Sequence, residues 1–572
     1  MPSGRRKARL LQVGLVGLIL VPFAAALLRP GWIQSHEGLS YPMRLVEVAR
    51  CWADGHWSAR WFPDFYAGQG FPFLSFYAPL FFLLAGLGHA AGVSLPLALK
   101  LPVLLGALSG AAGAYRLARA AAAGRSAAIV AAALWTYAPY RVRDIWIRGD
   151  LTEFLAAGLL PWALLAMLRL GRRQSPRDIL IASAAAALPI VTHNILGLLT
   201  GVLLAVTAAI VLAYSDEKMR TGWAAAAAGA GALLLSAFFW VPALYEKRFV
   251  RIDAMTTGVL DFRENFLSPA DLVSAPALPG VGQALPMSFE LGFAGLGLLA
   301  LLPFAVRRLP PVARPAVTAA GAMFLLGLVM STLAGWPAYQ AFPLLRFVQF
   351  PWRFLNFVAL GLAVLAAVGL DAMIRARPVW LRRGVAAAVV LAAVLSVRPL
   401  LGPKPNFDLP PWSVDPEEIA SRRETTTSSE EYLPRWVTQP PMRGRSFDDG
   451  VQVDGEAVVE GPGRRVARYD LTITAEEPVT VTLRDLMFPG WVATVGGAPL
   501  ALEPREGTGN MQFRLGAGRH EVQVRFGVTP VRRTAWFVSA AAALLAILIW
   551  LTGGPPKPRR MTRGYFSAGP HG

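Results

Sequence analysis

Cysteine is almost missing from this chain: Cys51 is the single thiol in 572 residues. An intramolecular disulfide framework and a cysteine-based metal site are therefore excluded, and Cys51 reads as an inert thiol. Charge is also scarce, at 16% of residues against 55% hydrophobic, with a mean hydropathy of +0.45. Those proportions exclude a soluble globular protein and leave a polytopic membrane protein. The sequence has no P-loop, no dinucleotide-binding glycine fingerprint, no HExxH, no DxD and no soluble-type repeat.

The charge that is present is lopsided, with a net of +19. Nucleic acid is not the implied partner, because the excess lies in short loops between apolar runs, where basic residues signal topology. Residues 401–533, the one large polar segment, hold 19 acidic and 16 basic residues and are mildly acidic. Apolar runs fall at about 10–28, 95–117, 126–139, 152–169, 178–192, 195–213, 222–244, 291–306, 315–334, 353–374, 384–400 and 534–552. The first could pass for a signal peptide with a weak cleavage site at Ala24–Ala26, but its length favours an uncleaved helix. A further run, 73–92, is ambiguous. If it does not span, then Arg116/Arg119/Arg125, Arg169/Arg172/Arg173, Lys218/Arg220, Arg307/Arg308/Arg314, Arg375/Arg377/Arg382/Arg383 and Lys557/Arg559/Arg560/Arg563 all share the cytoplasmic side with Arg5, Arg6, Lys7 and Arg9. We therefore read 73–92 as an interfacial or re-entrant helix pair.

The expected fold is mainly α: a polytopic transmembrane helical bundle of about twelve spans, both termini cytoplasmic, in the cell membrane. Residues 1–400 form the membrane module, with a large first external loop at 29–94. Residues 401–533 lie outside, irregular over 401–450 and then β-rich over 451–533, where VQVDGEAVVE, VARYDLTIT and HEVQVRF alternate with period two. This reads as a small antiparallel β-domain, sandwich-like, tethered by a last span and a basic cytoplasmic tail over 534–572.

Ionisable groups at the membrane edge are candidates for function. The first loop supplies Glu37, Arg44, Glu47, Asp54 and Asp64, together with aromatics that suit either sugar stacking or interfacial anchoring. The second external loop, YRVRDIWIRGDLTEF, supplies Arg141, Arg143, Asp144, Arg148, Asp150 and Glu153. Its arginines suit a phosphate, and its carboxylates suit acid–base chemistry or a divalent cation such as Mg²⁺ or Mn²⁺. The other reading of this loop is a set of self-paired interfacial charges. His193 and Asn194 break an apolar helix pair, as a polar turn cap or as a substrate-facing histidine. LLRFVQFPWRFLNF places Arg346, Gln349, Arg353 and Asn356 at an outer helix start, for phosphate binding or snorkelling.

Taken together, ARWFPDFYAGQGFPFLSFYAPL (59–80), the THN turn (192–194), QFPWRF (349–354) and FPGWVATVGG (488–497) resemble the GT-C superfamily of membrane glycosyltransferases. The resemblance is nearer still to the YfhO-type and 6-pyruvoyl-tetrahydropterin-synthase-related bacterial membrane proteins, although no pterin chemistry is visible in these residues. It implies transfer of a sugar from a polyprenyl-phosphate donor to an envelope glycan, lipid or protein acceptor on the outer face. It further implies that Glu37 stands in for the family's first-loop aspartate, one methylene longer, and that Asp150 or Glu153 is the second-loop acid. Arg141, Arg143, Arg148 and Arg353 become candidates for the donor phosphate, and Arg44, Asp64 and His193 complete the candidate substrate-binding set. Two other readings stand beside it. One is a transporter or flippase of lipid-linked sugars, which the outer-edge charges and lack of a repeat disfavour. The other is a non-catalytic envelope scaffold with a glycan-binding β-domain. On the favoured reading, Glu37 faces Asp150 and the arginines across an outward-facing cavity.

Overall fold

A computed structural model describes residues 2–275, 287–422, 427, 429–441 and 450–552. The basic tail expected after 553 and part of the irregular stretch 401–450 lie outside the described residues. The main helices are α1 (Pro2–Leu27), α2 (Ser40–Ala53), α3 (Leu80–Ala90), α4 (Leu95–Ala120), α5 (Arg125–Thr136), α6 (Leu151–Leu170), α7 (Pro176–Thr192), α8 (Asn194–Ala213), α9 (Lys218–Glu246), α10 (Arg314–Ser331), α11 (Leu355–Ile374), α12 (Val379–Val397) and α13 (Pro530–Thr552).

Among the described residues, eight helices are long and apolar enough to cross a membrane, against the twelve runs expected. The other four runs differ for identifiable reasons. The described side chains of α1 begin at Gly14, and Gly14–Leu27 counts among the shorter apolar helices; α5 has 12 residues and α7 has 17. The run 291–306 breaks into Phe293–Leu299 and Leu302–Val306. Pro303 stands in the first turn of the second segment, a position where its missing N–H costs nothing and which suits the start of a new helix. The ambiguous run 73–92 forms one turn, Phe73–Phe76, and then the 11-residue α3. A helix of that length rises about 16 Å, well short of a bilayer core.

Two helices form the centre of the bundle: 83% of the apolar window of α11 and 78% of that of α6 is buried, against 11% for α12 and for α13. The helices α4 and α6 meet backbone to backbone at Gly106 and Gly158, where a Cβ on Gly158 would overlap the Gly106 carbonyl. Small residues at a helix crossing allow this approach inside a membrane, and the approach brings α6 into the middle of the bundle.

The chain ends in two antiparallel sheets followed by α13. The strands are β1 (Val451–Asp454), β2 (Ala457–Arg465), β3 (Arg468–Ala475), β4 (Val479–Leu486), β5 (Trp491–Val495), β6 (Ala498–Leu500), β7 (Glu503–Pro504), β8 (Asn510–Leu515) and β9 (Gly518–Phe526). One sheet has the order β1-β4-β8-β7 and the other β2-β3-β9-β5-β6. Period-two alternation puts Tyr469, Leu471 and Ile473 of β3 inside, as expected of a strand with one buried face. A buried ion pair, Arg532 Nη2 to Glu246 Oε2 at 2.8 Å, fastens the start of α13 to the end of α9.

The β-region rests on the first loop. Trp61 packs against Phe488, Trp491 and Phe526, and its Nε1 donates to Asp485 Oδ1 at 2.9 Å. Arg464 pairs with the same Asp485 and donates to the Pro63 carbonyl. The Leu486 N–H donates to the Gln69 carbonyl at 2.8 Å. The stretch expected to be the irregular start of a separate domain is woven into the membrane module: Phe407 bridges to Trp32, Pro434 to Val250, and Tyr432 stacks on Phe76.

Candidate functional site

The site begins with a widened turn. Residues Asp144–Arg148 form one turn of π-helix, and the Asp144 carbonyl accepts from both Gly149 and Asp150 N–H at 2.9 Å. Such turns recur where a helix must redirect side chains. Here the turn folds Arg148 back over its own backbone, so that it ion-pairs with Asp144 (3.0 Å), Asp150 (2.8 Å) and Glu153 (2.8 Å). Gly149 follows at φ +85°, in the left-handed region, and a Cβ there would overlap the Ser35 hydroxyl. That close approach lets the first loop lie along the turn: His36 N–H donates to the Ile147 carbonyl at 2.9 Å and Glu37 N–H to the Arg148 carbonyl at 3.0 Å.

Asp150 caps α6. Its Oδ1 accepts from Glu153 N–H at 3.0 Å and from the Thr152 hydroxyl at 2.8 Å. Its Oδ2 faces Arg148, His193 Nε2 at 3.4 Å and Arg353 at 3.8 Å. Burial by itself would raise the Asp150 pKa, but Arg148, His193 and Arg353 outweigh it and hold the carboxyl well below the usual range. Asp144 goes the other way, raised by burial and by the neighbouring Glu153.

Glu153 is fully enclosed. Tyr140 (2.6 Å) and Asn356 (2.9 Å) donate to Oε1, and Arg148 (2.8 Å) and Arg353 (3.0 Å) to Oε2. With four donors on two oxygens it has no capacity left for a substrate proton, so it organises the cluster. Arg353 reaches it from a 3₁₀ turn, Pro351–Phe354, that follows Gln349 at φ +62°.

His193 has two roles. It caps α8, with Nδ1 accepting from Leu196 N–H at 3.0 Å. That bond requires a lone pair on Nδ1, so the neutral ring carries its proton on Nε2 and directs it at Asp150. Asn194 then clamps the first loop, donating to the Phe76 carbonyl (2.6 Å) and accepting from Ala78 N–H (2.9 Å).

The three groups Asp150, Glu153 and His193 converge closely enough to consider a divalent cation. As arranged, they do not fit one. A metal on His193 Nε2 would move the ring proton to Nδ1, against the Leu196 N–H. Glu153 is saturated, and two guanidinium groups already stand on the carboxylates.

Two groups in the site remain unsatisfied. Glu37 is half-buried, and its carboxylate accepts no hydrogen bond from any described residue. Burial raises its pKa, Asp150 raises it further, and Arg148, Arg44 and Arg353 oppose the rise. Arg44 of α2 is 5% exposed. Its guanidinium lies over Phe73 at 4.6 Å, Tyr77 at 5.4 Å and Tyr41 at 5.5 Å. Among the described residues it has no carboxylate partner, and its buried Nε and Nη1 have no acceptor.

The structure thus brings Asp150, Glu153, Arg148, Arg353 and His193 into one cluster, with Glu37 and Arg44 beside it. Three other candidates lie elsewhere. Asp64 is buried with Glu47 and Arg50, its N–H donating to Glu47 Oε2 at 3.0 Å. Arg143 is paired with Glu290 at 3.0 Å. Arg141 is enclosed between the rings of Trp135 (3.9 Å) and Phe154 (4.2 Å). Sequence reasoning passed over Tyr41, Tyr140 and Thr152, which hold the acids in place, and took Tyr77 for a sugar-stacking or interfacial aromatic, whereas its hydroxyl bonds Thr152. Helical periodicity over 40–53 carried one such signal, because Tyr41, Arg44, Val48 and Cys51 share the buried face of α2.

An arabinofuranosyltransferase, AftD from Mycobacteria, superposes with a TM-score of 0.46 at 21% identity, over 68% of this chain and 26% of its own. The chain therefore spans about a quarter of that protein's length. The archaeal oligosaccharyltransferase AglB from Archaeoglobus fulgidus, in complex with an inhibitory peptide and a dolichol-phosphate, gives 0.46 at 14% identity, over 75% of this chain and 61% of its own. ArnT from Cupriavidus metallidurans in the apo state gives 0.41 at 18% identity, over 71% and 69%. No curated protein sequence matches the chain. The 6-pyruvoyl-tetrahydropterin synthase related domain, a membrane protein family, matches residues 74–403, more than half of the sequence. The chain belongs to this family of multi-pass membrane proteins.

Proposed function

We propose that this protein is a GT-C-type membrane glycosyltransferase. It takes a sugar from a polyprenyl-phosphate-linked donor and passes it to an envelope glycan, lipid or protein acceptor on the outer face. One observation carries the reading: among the described residues, Glu37, a carboxylate that accepts no hydrogen bond, and Arg44, a buried guanidinium with no hydrogen-bonded anion, both lie within electrostatic reach of a cluster whose other acids and arginines are ion-paired with one another. A buried unpaired cation calls for an anionic ligand, because desolvating it without a partner is costly. The phosphate of the donor supplies that anion.

The step is a direct displacement at the anomeric carbon. The acceptor oxygen forms a bond to that carbon while the bond from carbon to phosphate oxygen breaks. The acceptor proton passes to Glu37, and the electron pair leaves on the phosphate, which Arg44 stabilises with Arg353 nearby. Asp150 and His193 fix the cluster rather than accept the proton, since Asp150 is already held ionised and fully bonded. The lipid tail of the donor approaches from the bilayer, which is the physical reason for embedding such a site.

The test is the lipid-linked-sugar profile of a deletion strain. We expect a polyprenyl-phosphate-linked sugar to accumulate, and wild-type protein to clear it while E37Q does not. Full clearance by E37Q would overturn the assignment of the base. Protein-dependent movement of a lipid-linked sugar in sealed proteoliposomes, without any transfer product, would favour the flippase reading instead.

A further inference from the structure

A large cavity among the described residues lies far from the acidic cluster. It measures about 1250 Å³ and opens at the opposite end of α6, among α1, α4, α5, α7, α10 and α12. The 20 residues of α6 rise about 30 Å, so the two features stand on opposite sides of the membrane. By the positive-inside rule this end is cytoplasmic.

Its lining combines two kinds of surface. One wall is apolar, with Leu15 and Leu18 of α1 37% and 66% exposed. The other is basic: Arg116 and Arg119 of α4, Arg125 of α5, Arg172 and Arg173 after α6, and Arg383 of α12. No carboxylate lines the cavity. Arg169, also at the rim, is neutralised by Asp178 at 2.5 Å. The other six have no ion-pair partner among the described residues. Arg119 and Arg172 instead donate to the Ala123 and Val312 carbonyls, and Arg116 lies over the Trp162 ring. Topology sorting needs basic residues on the cytoplasmic side, but it does not require unpaired arginines from three separate helices and the loop after α6 to converge on one apolar-walled cavity.

We infer that this cavity is a binding site for an anionic phospholipid of the cytoplasmic leaflet, its phosphate on the arginines and its acyl chains along the α1 wall. Guanidinium groups suit phosphate through paired N–H donors, and basic pockets between membrane helices on the cytoplasmic side are suited to anionic headgroups. The bilayer itself presents such lipids at the mouth of the cavity.

The test uses the full-length protein purified in detergent. Wild type, R125Q/R173Q/R383Q and a control, R307Q/R377Q/R382Q, which removes three arginines outside the cavity, are compared by native mass spectrometry and thermal unfolding with added phosphatidylglycerol or phosphatidylcholine. We expect phosphatidylglycerol, and not phosphatidylcholine, to remain bound to wild type and control and to raise their Tm. The cavity variant should lose affinity by about fivefold per arginine removed. Equal retention by the cavity variant and the control would overturn the proposal. Equal stabilisation by phosphatidylcholine would also overturn it, by showing an apolar crevice filled by any lipid. Preferential capture of polyprenyl phosphate over phosphatidylglycerol would overturn the assignment to a bilayer phospholipid.

Discussion

Glu37 and Arg148 are joined through their backbones, the Glu37 N–H donating to the Arg148 carbonyl at 3.0 Å. The unbonded carboxylate of the first loop is thereby fixed to the residue that gathers Asp144, Asp150 and Glu153 around its guanidinium. The first prediction follows from this pairing. In E37Q the backbone bond is retained, so the fold should survive while the proton acceptor is lost. A general base is worth about 10²–10⁴-fold in rate, and a loss of that order, measured as sugar transfer with no fall in Tm, is expected.

The second prediction concerns pH. The Glu37 pKa is raised, first by burial and then by Asp150, so the base form appears only above an elevated value. The acid limb of activity should therefore lie above the ordinary carboxylate range. Arg44 opposes the rise, so R44Q should move that limb to still higher pH, beyond any loss of phosphate binding. Stability runs in the opposite sense. A carboxyl whose folded pKa is raised contributes stability below its unfolded pKa and loses it as pH rises through the folded value. At pH values above that point E37Q should unfold at a higher temperature than wild type. A limb unmoved in R44Q would rule out Glu37 as the titrating base.

The double role of His193 separates by substitution. Asparagine retains an N-cap acceptor, whereas alanine removes both the cap and the Asp150 contact. Loss of a cap costs about 1 kcal/mol. H193A should lower both Tm and activity, and H193N activity alone. Equal Tm loss in the two variants would show that the cap bond is unimportant.

Gly149 is the hinge between the two external loops. In G149A the φ of +85° is strained by about 1 kcal/mol, and the methyl collides with Ser35. The expected result is a lowered Tm with transfer reduced more than stability, because the strand carrying Glu37 is pushed off the turn. The variant S35G/G149A, which relieves the collision but not the φ, should recover part of the activity.

Much of the fold was readable from composition and period. Apolar runs marked the helices, period-two alternation marked the sheets, and the basic loops argued against counting 73–92 as a span, which forms only an 11-residue helix. The run 291–306 forms two short helices instead of one span, because hydropathy records apolar character and not where a helix starts and stops. At the site, the quoted motifs were the right ones to join: Asn194 of THN grips Phe76, Arg353 of QFPWRF reaches Glu153, and Trp491 of FPGWVATVGG packs on Trp61.

By itself the sequence determined which segments are apolar helices and which polar residues flank them, because hydropathy, charge sorting and helical period are local properties of a chain in a membrane. Only the tertiary structure decided which charges neutralise one another. Arg143 finds Glu290, Asp64 joins Glu47 and Arg50, Glu153 is saturated by four donors, and Glu37 and Arg44 are left without partners. Charge pairing acts through space, both within one loop, as between Asp64 and Arg50, and between segments more than a hundred residues apart, as between Arg143 and Glu290 or Glu153 and Arg353.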